Sequence, residues 1–271
     1  MKIDLSKATF IIPVRIESSD RLRNVITTTA FLLENFDTNI IIKEVDSESV
    51  FQRDALPVLK DILDVDVNVQ HIFEKNDEPL FHRQRVLNEM VIEAKTEVVV
   101  NYDCDVLLPL NSYLEAYQSI LYHTHDVVYP YGQGVYQQQV KATDEIVSEF
   151  LRTTDFNILD KHSNLHTSDF GWVQFFNRQV YIDGGLENEN FKAYSPEDKE
   201  RFYRFTTLGY NVGRINDYVY HLEHTRGENS WFNNPHMNSN MQEWEKIQSM
   251  NKEQLIEYYS NQQYLKKYVS I

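Results

Sequence analysis

The stretch EVVVNYDCDVLLP, residues 97–109, decides how the chain is read. Val98, Val99 and Val100 form an uninterrupted β-branched run, the pattern of a strand buried on both faces of a largely parallel sheet. The run closes on Asp103-Cys104-Asp105. Ligands of open α/β sheets gather beyond the carboxyl ends of strands, so acids at this strand end mark where chemistry belongs. If the backbone stays extended through residue 105, both carboxylates share one face and Cys104 turns to the core. Converging carboxylates repel unless a cation neutralises them, and an oxygen-rich site suits Mn²⁺, with Mg²⁺ as the alternative. An Asp-x-Asp alone is equally well two solvated acids opening a loop before Pro109, so its surroundings have to decide.

The first part of the chain alternates in the βαβ manner. An apolar run at Thr9–Val14 is followed by an amphipathic stretch at Arg21–Phe36, a second run at Asn39–Val45, a helical stretch at Phe51–Leu63 and a strand at Val65–Phe73. Ser19 or Asp20 is placed to cap the first helix, whose stripe of Leu22, Val25, Ile26, Phe31 and Leu32 can cover the sheet. A helix over His82–Ala94 leads into the decisive strand. Beyond it the pattern predicts a helix from Leu110 to Tyr122, a strand at Val127–Tyr129 and a polar stretch to Thr167. A strand at Trp172–Phe176, a helix from Pro196 to Leu208 and a strand at Val212–Val219 follow. The segment from Glu223 to Asn240 is rich in Asn, Gly and Ser, and the end from Met241 is polar and helical. This rhythm predicts an α/β class with a mostly parallel central sheet flanked by helices, in one domain over residues 1–240 with a helical C-terminal tail over 241–271.

Composition narrows the function. Among 271 residues, 41 acids against 26 bases give a formal net charge of −15, which opposes nucleic acid and anionic bilayers as partners. An anionic ligand then needs a metal ion or local arginines. The one cysteine excludes an internal disulfide and points to a reducing cytoplasm. No stretch approaches the roughly 18 apolar residues of a transmembrane segment. The 17 Tyr and 15 Phe suit sugar stacking and core filling alike.

Three further constellations carry chemistry. His221-Leu222-Glu223-His224 follows a predicted strand; imidazoles suit Mn²⁺ or Zn²⁺, but the two rings can share an ion with Asp105 only if the chain turns there. Ser195-Pro196-Glu197-Asp198 reads as a helix start, with Ser as cap, and equally as a pair of acids from which a general base can be drawn. Arg15 and Arg83 can each grip a diphosphate or form an ordinary ion pair.

Taken in order, PVRIE (13–17), FHRQRVLN (81–88), NYDCDVLLP (101–109), GGLENENFKAYSPEDKERFYRFTTLGYNV (184–212) and HLEHTR (221–226) resemble the successive motifs of the β-1,4-galactosyltransferase family and the related chondroitin-polymerase-like enzymes. The likeness runs over residues 8–226, with Gly132–Thr167 unmatched. It implies a GT-A fold, a UDP-sugar donor, a glycan or other hydroxyl acceptor, Mn²⁺ and inversion at the anomeric carbon. Residues 1–110 would then make the nucleotide-binding half and 111–240 the acceptor and metal half. Carried over, Pro13, Arg15, Phe81 and Arg83 line the nucleotide pocket and Asp103 faces the donor. Asp105 and His224 bind the metal, and His221 takes the other ligand position. Asp198 is the catalytic base, and Glu197 holds the acceptor. Asp46, or equally Glu44, matches the acid that contacts uracil in related transferases. The sequence departs from the family at Tyr194, where the family carries a Trp closing over donor and acceptor, at Glu17, which replaces a basic residue, and at Pro196, which replaces a glycine. Galactose specificity therefore does not follow. The Asn-rich segment Arg226–Asn240 is expected to order over bound donor. The competing readings are a sugar-1-phosphate nucleotidyltransferase, whose Gly-rich phosphate loop IIPVRIESSD lacks, and a carbohydrate-binding domain without turnover.

Overall fold

The computed structural model describes residues 2–64, 67–227, 230–231 and 234–269. Its main sheet has seven strands: β1 (Ile3–Val14), β2 (Phe36–Asp46), β3 (Gln70–Lys75), β4 (Val98–Tyr102), β6 (Val127–Tyr129), β9 (Val173–Asn177) and β10 (Val212–Arg214), in the order β10-β6-β9-β4-β1-β2-β3. A second sheet of four strands comprises β5 (Val106–Leu107), β7 (Gly134–Val140), β8 (Ser163–Ser168) and β11 (Val219–Leu222), in the order β5-β11-β7-β8. The main sheet is mostly parallel, with β9 antiparallel to both of its neighbours β4 and β6. Every residue of β4 is buried, as its valine run requires.

The helices are α1 (Ser19–Asn35), α2 (Leu56–Leu63), α3 (Arg83–Glu93), α4 (Leu110–Leu121), α5 (Asp144–Thr153), α6 (Phe156–Asp160), α7 (Arg178–Asp183), α8 (Glu197–Leu208), α9 (Met237–Gln248) and α10 (Lys252–Ser260). α1 covers the sheet with Val25, Phe31 and Leu32 fully buried, and α3 packs against β1. The tail is continuous with the rest: Ile247, Leu255, Tyr259 and Leu265 join the same hydrophobic core as β1 and β4. No described helix is long and apolar enough to cross a membrane.

Several expectations need correction. The predicted strand Val212–Val219 is two strands, β10 and β11, which belong to different sheets. The polar stretch before Thr167 folds as β7, α5, α6 and β8. β3 begins at Gln70, and Val65, where the strand was expected to start, lies outside the described residues. Phe51–Ala55 forms a π-helical turn ahead of α2, whose first turn carries Pro57, a residue without an N–H to give. Neither Ser19 nor Asp20 is the cap residue of α1; that place falls to Ser18, whose hydroxyl bonds the Asp20 carboxylate and not the helix backbone. Ser195 likewise caps nothing: α8 starts after Pro196, and the Ser195 hydroxyl donates to Glu197 at 2.5 Å.

Candidate active site and metal centre

The chain turns after β11, as shared coordination by the two histidines requires, and it also turns at Asp103-Cys104-Asp105, where an extended backbone with both carboxylates on one face was expected. β4 ends at Tyr102, and Asp103-Cys104-Asp105 is a turn into β5, so the alternation of an extended strand does not govern its side chains. Instead Asp103 and Asp105 face different partners. β11 ends at Leu222, and the backbone leaves the sheet before His224. As a result the ligand atoms of Asp105, His221 and His224 lie within 4.8 Å of one another. His224 Nε2 is 3.0 Å from Asp105 Oδ2, and His221 Nε2 is 3.8 Å from Asp105 Oδ1.

The opposite nitrogens of both rings are committed. His221 Nδ1 lies 3.0 Å from Gln139 Oε1, which also accepts from Gln137, and His224 Nδ1 lies 2.8 Å from the Thr225 carbonyl. Each acceptor takes the Nδ1–H and turns Nε2 toward Asp105, the arrangement that outer partners impose on metal-ligating histidines. Burial lowers the His224 pKa, but its Nε2–H bond to Asp105 and the charge of that carboxylate outweigh this and raise it, and a cation would replace that proton. Burial opposes charge on Asp105, yet the two imidazoles outweigh it and hold its pKa at about 2. Burial pushes His221 down to about 4, so that ring is neutral at pH 7. One carboxylate and two neutral-capable imidazoles fit Mn²⁺.

A continuous polar chain runs beside this cluster, from Asp103 to Asp198. Arg83 donates to Asp103 at 2.5 Å and to Asn101 at 3.3 Å; Asn101 donates to Gln174 at 2.9 Å. Arg201 reaches Gln174 at 3.2 Å and Asp198 at 2.8 Å. The same guanidinium grips Glu187 with two bonds, at 2.7 and 2.6 Å, with both side chains 1% exposed. Gly171 backs Asp198: a Cβ there would stand 3.1 Å from Asp198 Oδ2. Glu197 lies within electrostatic reach of Asp198 and Arg83, and burial with the Asp198 charge raises its pKa to about 8. Tyr194 is half-buried beside Glu197, Asp198 and Arg226.

The remaining predicted residues gather elsewhere. Arg15 and Asp46 line a hollow of about 420 Å³ with Ser47, Asn76 and Asp77. Arg15 gives its guanidinium to the carbonyls of Val45, Glu78 and Pro79 at 2.9–3.0 Å and lies over the Phe81 ring at 5.6 Å. Its Nη2 is buried without a hydrogen-bond partner among the described residues. Pro13 is buried within β1, beyond the last rung shared with β4, and lines no part of that hollow. Glu44 is fully buried, accepting from Ser49, Phe51 N and His71, so between the two acids only Asp46 faces the hollow. Residues 228, 229, 232 and 233 of the Arg226–Asn240 segment lie outside the described residues.

Sequence reasoning missed Gln139, Asn101, Gln174, Glu187 and Arg201. Only Arg201 carried a signal, as a cation three residues after Asp198 on one helix face.

No protein-family model matches the chain and no curated protein sequence matches it, so the likeness is one of structure. The fold is that of the GT-A glycosyltransferases. The particular solved structures it is similar to include GalNAc-T7 with UDP, GalNAc and Mn²⁺, at 13% identity and TM-score 0.54, covering 93% of this chain and 50% of that one. A second is the mannosyltransferase PcManGT from Pyrobaculum calidifontis in complex with GDP-Man and Mn²⁺, at 15% identity and TM-score 0.51, covering 82% and 58%. A Drosophila β1,4-galactosyltransferase 7 complexed with manganese, UDP-Gal and xylobiose is similar at 16% identity and TM-score 0.49, covering 81% and 72%. The chain thus spans half the length of the first and 58% of the second.

Proposed function

We propose that the chain is a metal-dependent inverting glycosyltransferase that moves a sugar from a UDP-sugar to an acceptor hydroxyl. The observation that carries this reading is the cluster of Asp105, His221 and His224 two residues from Asp103, where the polar chain begins whose other end is Asp198. Two of the structurally similar proteins were solved with Mn²⁺ and a nucleotide or nucleotide sugar, which supports the same ligand classes here.

In this reading Asp105, His221 and His224 would hold Mn²⁺, which would supply charge neutralisation to the diphosphate leaving group. Asp46 and the free face of Arg15 bound the hollow that receives the nucleoside. Arg83, paired with Asp103, stands near the acids and adds positive charge at the donor. Asp198, aimed by Arg201 and by the absence of a side chain at residue 171, takes the proton of the acceptor hydroxyl. The acceptor oxygen bonds to the anomeric carbon as that carbon's bond to the phosphate oxygen breaks, and UDP leaves with the bonding pair. Glu197, protonated at neutral pH, donates a hydrogen bond to the acceptor.

The test is UDP release from a panel of UDP-sugars with Mn²⁺, with and without glycan acceptors. The reading requires release by the wild-type chain and a drop of at least about a hundredfold in Asp198→Asn with Mn²⁺-UDP affinity kept. Equal release by wild type and Asp198→Asn would refute the assigned base.

A further inference from the structure

A cavity of about 530 Å³ lies between residues 189–192, the start of α9 and the turn after α10. No residue assigned a role above lines it. Its volume falls within the range of small-molecule sites, about 300–1,000 Å³.

Its walls are built and held from below. Asn240, fully buried, donates to the Lys192 carbonyl at 2.7 Å and accepts from the Lys192 N–H at 3.2 Å. Asn188, 1% exposed, ties the same loop to Glu243 at 3.0 Å and to the Tyr259 hydroxyl at 3.2 Å. Tyr264 lines the cavity while 7% exposed, and its hydroxyl has no hydrogen-bond partner among the described residues.

The lining is chemically specific. Four side-chain amides line it: Asn190 gives its N–H groups to Glu243, Tyr258 and Gln262, Asn261 and Gln262 give to the carbonyls of Glu257 and Tyr258, and Gln263 Oε1 accepts from Lys266. Among the described residues Asn190 Oδ1, Asn261 Oδ1 and Gln263 Nε2 have no protein partner and are left for a ligand. Adjacent donors and acceptors of this kind match the vicinal hydroxyls of a sugar. Glu189 is already occupied, accepting from Asn88 at 3.1 Å and from the Tyr268 hydroxyl at 2.7 Å. Lys192 and His236 alone do not form an anion cluster, and the net charge of −15 repels a polyanion. Lys192 precedes Glu197 by five residues, so their Cα atoms stand no more than about 17 Å apart. A short oligosaccharide reaches across that span.

We propose that this cleft is a saccharide subsite, holding an uncharged inner sugar of an oligosaccharide acceptor whose terminal hydroxyl lies at Glu197 and Asp198. The assignment of the terminal sugar rests on the glycosyl-transfer reading; the cleft's affinity for sugar does not. The experiment is saturation-transfer NMR on the full chain with neutral tri- and tetrasaccharides of the glucosyl, galactosyl and N-acetylglucosaminyl series, against the corresponding monosaccharides. Mn²⁺-UDP titration runs in parallel. Two variants at exposed cleft positions accompany the wild type: Ser239→Trp, which fills the cavity, and Asn261→Ala/Gln263→Ala, which removes amides. The expected result is an affinity for one oligosaccharide series that falls about tenfold in both variants, with Mn²⁺-UDP binding and monosaccharide binding unchanged. The inference is overturned if the wild type binds none of the oligosaccharides, or if both variants bind them as the wild type does. Saccharide binding that the variants weaken, in a chain that does not bind Mn²⁺-UDP, upholds the subsite and removes the donor reading instead.

Discussion

Gln139 stands behind the proposed metal centre without being one of its candidate ligands. Its oxygen holds His221 Nδ1 at 3.0 Å and thereby directs Nε2 toward Asp105. Gln139→Leu is expected to lower Mn²⁺ affinity by about 10–100-fold without unfolding the chain, measured by titration of free Mn²⁺ through its electron paramagnetic resonance signal. Glu197 supplies a pH prediction. In the folded chain its pKa is raised to about 8, against 4.5 unperturbed, by burial first and by Asp198 second. Between those values the folded state holds the extra proton, so stability falls as pH rises through that window. Transfer is expected to decline above pH of about 8, and Glu197→Gln, which stays neutral, is expected to flatten that limb in a pH profile of kcat/KM. Asp105, Asp198 and the two histidines were legible in the sequence because strand ends and a helix start carry them. Gln139 was not, since a glutamine in GVYQQQV has no spacing that ties it to a histidine 82 residues later.

At the scale of elements, β4, β9 and α8 carry the polar chain that aims Asp198. Arg201 and Glu187 are buried together, and removing one charge strands the other. Arg201→Met is expected to cost about 3–5 kcal/mol in urea unfolding, and Arg201→Met/Glu187→Leu to recover much of it while turnover stays low. Burial raises the Glu187 pKa and Arg201 more than reverses this, to about 2, so the pair stabilises fully above pH 4.5 and loses its contribution as pH falls toward 2. Gly171→Ala is expected to push Asp198 aside and lower kcat by about tenfold or more, with Mn²⁺-UDP affinity intact. The βαβ alternation made the first half of the sheet readable, because apolar runs there match strands closely. The second sheet escaped for a physical reason. β7 and β8 are largely polar, and β10 and β11 follow one another so closely that they read as one strand.

At the scale of the molecule, the tail is part of the core. Tyr259 of α10 donates to Glu200 at 2.6 Å, and the Arg204 guanidinium lies 4.5 Å from its ring centroid, closing a buried cluster against α8. Deleting residues 250–271 is therefore expected to destabilise the whole chain, seen as a lower urea midpoint, and not merely to shorten it. The resemblance in motif order reached the GT-A fold because it follows the sheet's strand ends, whereas the contacts of the tail leave no mark in spacing. Asp105, His221 and His224 are proposed to join a divalent cation to a uridine nucleotide. Calorimetric titration of UDP into the chain with and without Mn²⁺, repeated on Asp105→Ala, tests this. UDP binding is expected to require Mn²⁺ and to be lost in the variant; Mn²⁺-dependent binding that persists in Asp105→Ala, or no binding by the wild type with Mn²⁺, would overturn the assignment.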